Sequence, residues 1–506
     1  MIRVIIRKDA YYDSVLLMEV NSRVKRAEGL QEVVVAMATP QNLQLLAGLG
    51  FGKELEAAAA NDLIIAMKAD DDSRFGDVEA EIDELLHASK KTGAGEDGYR
   101  PPGLEGALQL APDANLAVIS VAGDYAWYEA RKALQAGLHV MLFSNNVPVE
   151  REVELKKMAV EKGLLVMGPD CGTAIINGVP LCFANEVRRG GIGIVGASGT
   201  GTQEVSVLID RLGQGVSQVI GTGGRDLSAQ VGGLTMLQGV EALKNDPETK
   251  VIVVVSKPPD EKVSRTILDA LAASGKPYIV HFIGRSTMAD SLEQAAGMAV
   301  GLLEGGPFTG LEPLDRDVAL AAEESSGKSE DQKYIRGYFT GGTLCDETIF
   351  ILSRSLQNVR SNIHPDKAKR LKDPAKSEGH TLIDLGDDVF TAGRPHPMID
   401  PTGRIERIES ELDDPEIAIM LLDIMLGHGS HMDPAGAMVP VLARAKKRSS
   451  ERGGKLTIIA TVVGTPLDFQ GYAAQRARLE QIGVIVAQSN ARMAGLALAV
   501  MENMKA

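Results

Sequence analysis

Ile192-Gly193-Ile194-Val195-Gly196-Ala197-Ser198-Gly199-Thr200-Gly201 decides how this chain is read. An apolar strand ends in a turn of small residues, and a helical pattern over Glu204–Leu212 follows. The first amides of a helix have no partner within it, and the helix dipole makes that end attractive to an anion. Glycines let an anion approach the backbone, and Ser198 and Thr200 add hydroxyls. The plainer alternative is a capped helix start packed against its sheet. The stretch is neither a Walker A loop nor a complete dinucleotide fingerprint.

The same rhythm continues on both sides. Apolar runs at Leu116–Val121, His139–Phe143, Leu164–Met167, Val251–Val255, Tyr278–Phe282, Ile417–Leu422, Leu456–Val463 and Val484–Ala487 read as strands. Several are apolar on both faces, as parallel strands covered by helices must be. Helical stretches such as Tyr125–Ala136 and Glu150–Lys162 separate them. The expected class is therefore α/β, with several doubly wound, Rossmann- or flavodoxin-like parallel sheets.

Four segments are expected: 1–185, an irregular start leading into a Rossmann-type domain; 186–305, an α/β module; 306–333, a linker; and 334–506, a second module. Loops are expected at 70–72 and 90–102. The two modules look related. Gly199-Thr200-Gly201-Thr202-Gln203-Glu204 and Gly341-Gly342-Thr343-Leu344-Cys345-Asp346-Glu347 each follow a strand and open a helix. Asn245-Asp246-Pro247-Glu248 and Asp413-Asp414-Pro415-Glu416 each precede a strand.

With 506 residues a large core is available without staples. The 53 basic and 68 acidic side chains leave a net charge of −15. That balance argues against nucleic acid and anionic membrane as general partners and leaves small-molecule substrates. Cys171, Cys182 and Cys345 make no CxxC pair and no metal spacing, so no metal is expected and a reducing, cytoplasmic setting is. No apolar run approaches the ~20 residues of a membrane span.

Other strand ends carry candidate chemistry. Leu426-Gly427-His428-Gly429-Ser430-His431 follows a strand, and its glycines and Ser430 suit an anion. His428 or His431 could bind an anion, carry a proton or accept a phosphoryl group. Arg394 could clamp a carboxylate or phosphate with its fork, and His396, between two prolines, could be a positioned acid or base. Lys257 stands at a strand's carboxyl end, where open α/β sheets bind ligands. Asp170 and Cys171 sit in the turn Gly168-Pro169-Asp170-Cys171-Gly172-Thr173.

Taken together, these segments resemble the succinyl-CoA synthetase superfamily, most closely its FdrA branch. Leu138–Asn177 is similar to the second half of the synthetase α subunit's CoA-binding domain, with Gly168-Pro169-Asp170-Cys171 in place of its GPNC-like turn. Gly191–Gly284 resembles the α-subunit ligase domain, and Ala197–Glu204 its phosphate-facing helix start. Thr381–Val500 resembles the β-subunit carboxyl-terminal domain, and Gly427–Asp433 falls where that domain has its own phosphate-facing helix. The FdrA-type resemblance runs end to end and includes Gly223-Gly224-Arg225-Asp226-Leu227-Ser228 and Gly393-Arg394-Pro395-His396-Pro397.

The departures shape the expected activity. The superfamily's glycine-rich CoA loop is not visible between Met1 and Pro40, which puts CoA in doubt. Where its phosphorylated histidine sits in a GHAGA loop, this chain has Arg285-Ser286-Thr287-Met288-Ala289-Asp290. There is no room for the ATP-grasp domain. The resemblance thus implies a reaction using phosphate or an acyl phosphate: phosphorolysis of oxalurate to oxamate and carbamoyl phosphate, in a complex with subunits encoded nearby or as a homodimer. The rival expectations are an ADP-forming acyl-CoA synthetase with its nucleotide site on another chain, and a non-catalytic regulator.

Overall fold

The computed structural model describes the chain apart from residues 9, 11, 13, 25–29, 40, 41, 44, 45, 56, 60, 61, 70, 93–100, 286, 309–314, 505 and 506. It divides into two units, Met1–Ala114 with Thr391–Pro395, and Asn115–Phe390 with His396–Ala506.

In the first unit, β1 (Ile2–Arg7), α1 (Ser14–Val24), β2 (Leu30–Met37), β3 (Leu63–Ala69), α2 (Phe75–Thr92) and α3 (Leu104–Leu110) follow in order. The strands form an antiparallel sheet in the order β1-β3-β2. Val33, Val35, Ile65 and Met67 alternate onto one face and pack with Leu17, Val20, Val78 and Ile82 of the two longer helices. The loop expected across 90–102 begins instead as the last turn of α2. Residues 93–100, and residue 70 of the other expected loop, lie outside the described residues.

The second unit starts with a parallel sheet, β4 (Leu116–Ile119), β5 (His139–Leu142) and β6 (Val166–Met167), joined by α4 (Gly123–Gln135) and α5 (Val149–Lys162). A hairpin follows, β7 (Thr173–Ile176) and β8 (Val179–Cys182). Its two-residue turn, Asn177-Gly178, has φ of 51° and 80°, which favours the sharp reversal of a hairpin. The hairpin pairs with β10, so the sheet assigned to 186–305 takes in residues from 173 onward.

That sheet contains β9 (Arg189–Ala197), β10 (Val216–Gly221), β11 (Val251–Ser256) and β12 (Tyr278–Phe282). Its order is β12-β11-β9-β10-β7-β8, parallel except for the hairpin. Helices α6 (Gly199–Arg211), α7 (Leu234–Asn245), α8 (Glu261–Ala272) and α9 (Leu292–Glu304) make the connections. The stretch expected as a linker holds α10 (Asp315–Ser325), which packs on the chain's last helix and buries Ala321. Lys328 then ties it down, donating to Ala418 O, Lys455 O and Thr457 Oγ1 at 3.1, 2.8 and 2.7 Å.

The last sheet is all parallel, in the order β14-β15-β13-β16-β17-β18. Its strands are β13 (Tyr334–Phe339), β14 (Val359–Ser361), β15 (His380–Asp384), β16 (Ile417–Met425), β17 (Thr457–Val463) and β18 (Ile485–Ala487). The helices are α11 (Gly342–Leu352), α12 (Asp388–Thr391), α13 (Thr402–Glu409), α14 (Pro434–Glu451), α15 (Tyr472–Gln481) and α16 (Asn490–Asn503). The unit is α/β with several parallel sheets, as its sequence pattern requires. Among the described residues no helix is long and apolar enough to cross a membrane.

Two consequences of this topology place the site. In each large sheet the chain turns to opposite sides of one central strand, β9 or β13, and ligand crevices form at such switch points. Both central strands run directly into glycine-led helices, α6 and α11. Helix α6 is buried from Thr200 to Asp210, because one core joins side chains of both sheets around it, α9, α11 and α16.

Candidate functional site

The starts of α6 and α11 face each other. Ser198 Oγ and Thr343 Oγ1 lie 2.7 Å apart, and both residues are buried. A side chain on Gly341 would begin 2.8 Å from Thr200 Oγ1, and one on Gly201 would begin 2.8 Å from Thr343 Cγ2. These glycines are what allow the two helix ends to meet. Ser198 does not cap its own helix, since its hydroxyl is turned across to Thr343. Among the described residues the amides of Gly199, Thr200 and Gly201 have no acceptor, and neither do those of Gly342, Thr343 and Leu344. Two positive helix ends thus converge on one place.

Each end is held from behind. Asp423, fully buried on β16, accepts the Thr340 amide at 2.9 Å and the Gly341 amide at 2.8 Å. Its charge is balanced by Arg404 on α13 at 3.1 Å, which also donates to Asp423 O and Tyr338 O. On the other side, Asp170, Thr173, Gly199 and Gly223 line a small cleft at the α6 start. The Gly223–Asp226 turn is anchored by Lys156, buried on α5 between Glu152 at 2.9 Å and Asp226 at 2.7 Å.

Charged groups surround the meeting point. Lys257, just past β11, pairs with Asp346 of α11 at 2.9 Å. Burial works against its ammonium, but Asp346 and Asp384 outweigh that and hold it above its ordinary value. Asp384 ends β15, and its Oδ2 lies 2.5 Å from where a side chain on Gly342 would begin. Burial pushes its carboxyl up to about 7, against the pull of Lys257. Asp170 is reached by solvent but crowded by protein; burial and then Asp388 push it up to about 6. Beneath the helix starts, Asn490 bridges two buried glutamates. Its amide donates to Glu204 at 2.9 Å and its side chain to Glu347 at 2.7 Å. Burial pushes both carboxyls up to about 7.

The residues singled out from sequence are distributed unevenly. Ser198, Gly199, Thr200, Gly201 and Lys257 come together with Asp170 at the edge. His396 is close by: its Nε2 and Asp384 Oδ1 lie 2.6 and 3.1 Å from where a side chain on Gly386 would begin. Its Nδ1 accepts the Met398 amide at 3.2 Å, and burial pulls the ring down to about 4, so it is neutral. Cys171 is buried, and burial pushes its thiol up to about 12, so it offers no thiolate. Arg394 is exposed in the Thr391–Pro395 segment, which groups with the first unit rather than with this cluster.

The Gly427 loop departs from its expected role as a phosphate-facing helix start. Helix α14 begins only at Pro434, capped by Asp433. The amide of Gly427 donates to Gln470 and that of His428 to Ala184 O, at 3.1 and 2.8 Å. Side chains on Gly427 or Gly429 would strike Ala184 O or Phe183, so these glycines serve packing. His428 Nε2 pairs with Glu186 at 2.7 Å, and Ser430 Oγ points at Leu426 O. The helix start that faces α6 is that of α11. Its sequence signal was the repeat itself: Gly341-Gly342-Thr343 matches Ser198-Gly199-Thr200, and Glu347 matches Glu204.

Three family profiles match the chain: "AllF, heavy metal-associated domain" over residues 1–101, "CoA binding domain" over 188–284 and "CoA-ligase" over 338–500. The "Uncharacterized protein YahF" of Escherichia coli is 46% identical, over 97% of this chain and 96% of its own length. The "Succinate--CoA ligase [ADP-forming] subunit alpha 2" of Archaeoglobus fulgidus is 28% identical, over 39% of this chain and 67% of its own. The "ADP-forming sulfoacetate-CoA ligase subunit SqwL" of Acholeplasma is 29% identical, over 38% and 66%. The structure of the Methanothrix soehngenii ATP citrate lyase in complex with citrate and coenzyme A covers 80% of this chain at 12% identity, with a TM-score of 0.36. The donor set of residues 1–101 does not fit a heavy-metal site. The segment contains no cysteine, and among the described residues no three His, Cys, Asp or Glu gather to hold a metal.

Proposed function

Because the chain belongs to the family of Escherichia coli YahF, within the succinyl-CoA synthetase superfamily, we propose that it is the phosphate-holding subunit of an acyl or carbamoyl transferase. The observation that carries this reading is the pair of facing helix starts around Ser198 and Thr343, whose six first amides have no acceptor among the described residues. In the superfamily resemblance, a phosphorylated histidine would approach such a place from the loop after β12. Here residues 283–291 contain no histidine, and His281 on β12 is buried and bonded to Ala289 O at 2.9 Å. Free phosphate is then the natural occupant.

The reaction proposed is phosphorolysis of oxalurate. A phosphate oxygen attacks the carbamoyl carbon, and the bond from that carbon to the oxamate nitrogen breaks. The nitrogen leaves with the proton that phosphate gives up, so hydrogenphosphate and oxalurate yield carbamoyl phosphate and oxamate. Amides preorganised at two helix ends stabilise the oxyanion without rearranging, and removing one such donor typically costs ~10²–10³ in rate. Lys257 supplies the fixed cation beside the α11 start. Other subunits, encoded nearby, complete the enzyme in the cytoplasm.

A second reading, an ADP-forming acyl-CoA synthetase working with a separate nucleotide-binding chain, is favoured by the matches to ADP-forming ligase subunits. One experiment separates the two. The chain is purified with its co-expressed neighbours and given oxalurate and phosphate, or an organic acid, CoA and ATP. Carbamoyl phosphate and oxamate in the first mixture support phosphorolysis. A thioester in the second, with nothing in the first, supports the synthetase. Product in neither mixture leaves a non-catalytic regulator.

A further inference from the structure

The charges at the α11 start do not balance for a bound dianion. Asp346 and Asp384 both stand beside Lys257, and Lys257 Nζ is already 2.9 Å from Asp346. One ammonium therefore serves two carboxylates. Asp384 is 7% exposed, and Oδ1 accepts the Gly386 amide at 2.9 Å. Oδ2 has no hydrogen-bond partner among the described residues and lies against Gly342, the first residue of α11. An ionised Asp384 would hold negative charge where the free amides of Gly342 and Thr343 await an anion.

Resting on the anion site proposed above, we propose that Asp384 takes part in that site as the neutral acid, donating its Oδ2 proton to the bound oxyanion. The site then selects its ligand by proton count. A dianion enters together with a proton on Asp384, and losing that proton expels it. The other groups facing Asp384 do not replace this role. Lys257 is held above its ordinary value, and Asp346, though raised by burial, is engaged by Lys257 at 2.9 Å, so its proton is not the one turned to Gly342. His396 is neutral, and Cys345 is held protonated by burial. Asp387 adds only negative charge, and His364, near Asp346, is pulled down by burial. Asp170, across the cleft, is pushed up to about 6 by burial and then Asp388, and burial pushes Glu204 and Glu347, beneath the helix starts, up to about 7.

Sulfate is the probe, because it stays a dianion between about pH 6 and 9 while phosphate does not. Its affinity for the full chain is measured by titration calorimetry across that range. The wild-type dissociation constant should rise about tenfold per pH unit above the midpoint, as the linkage of one proton requires. In Asp384→Asn the amide keeps the Gly386 contact and presents a permanent donor, so affinity should stay flat and exceed wild type at the alkaline end. Any shallower slope left in the variant belongs to Asp170, Glu204 and Glu347, which it retains. The same slope in both proteins overturns the inference but leaves the anion site standing. Sulfate binding to neither at any pH removes the anion site and the inference with it. Should Asp384→Asn not fold, Lys257→Met is read instead. Removing the ammonium that holds Asp384 down should move the midpoint to higher pH, and an unmoved midpoint overturns the inference.

Discussion

Replacing Gly199 with valine tests the anion site while leaving the fold alone. Gly199 opens α6 and does not have a positive φ, so a branched side chain meets no backbone strain there. The first atom of the new side chain would meet only Thr173 Oγ1, at an ordinary 3.6 Å. The rest would fill the cleft lined by Asp170, Thr173 and Ser198. The core beneath is untouched, so the stability change should stay within ~0.5 kcal/mol. Anion binding should suffer far more. Each hydrogen bond to a charged group is worth ~1.5–3 kcal/mol, so blocking one amide costs roughly 10- to 150-fold in affinity. Sulfate titration calorimetry reads the affinity, and the thermal melt reads the fold. A variant that melts like wild type yet binds sulfate as tightly would refute the placement of the anion at α6.

Three further outcomes are expected. Gly341→Ala should destabilise by ~1–3 kcal/mol in denaturant titration, because its methyl would begin 2.8–2.9 Å from three atoms of Thr200 and the helix starts must part. Lys156→Met should cost ~3–5 kcal/mol, read as a lower melting temperature, since Asp226 would be left buried without its cation and Glu152 would keep only Arg225, at 3.0 Å. The pH dependence of stability should carry the mark of Glu204. Its carboxyl is raised to about 7 by burial, so the folded state binds more protons than the unfolded one between the ordinary carboxylate range and neutrality. That contribution is full at the acid end and lost as pH rises towards about 7, and Glu204→Gln should flatten the slope by about one proton. An unchanged slope would show that Glu204 does not titrate in that window.

The sequence made local logic legible and long-range pairing much less so. The strand, small-residue turn and helix at Gly193–Gly201 could be read because each step depends on neighbours in the chain. The choice between the Gly341 and Gly427 loops could not. Both show glycines after a strand, and what separates them is whether folded partners consume their amides. Gln470 and Ala184 O claim the amides of Gly427 and His428, the first two of that loop, whereas among the described residues nothing claims those of Gly342–Leu344. Glycine and histidine together at 427–431 looked like chemistry, but close packing on Phe183 and Ala184 explains the glycines. Nothing local in the sequence marks Asp384, because its meaning comes from Lys257, more than a hundred residues away. The repeat was the best available clue. It aligned Glu347 with Glu204, the two carboxylates that Asn490 bridges. The helix at Asp315–Ser325 was missed because flanking glycines, charges and serines obscured its short apolar face, of which Ala321 is buried. The hairpin turn Asn177-Gly178 was a local signal that could have been used.

Whether the starts of α6 and α11 hold one anion between them is decided by a crystal grown in sulfate and examined at the sulfur anomalous signal. A single peak is expected within hydrogen-bond reach of the amides of Gly199–Gly201 and of Gly342–Leu344, beside the Ser198 and Thr343 hydroxyls. A peak at the Gly427–Ser430 loop with that place empty, or no peak at either helix start, would contradict it.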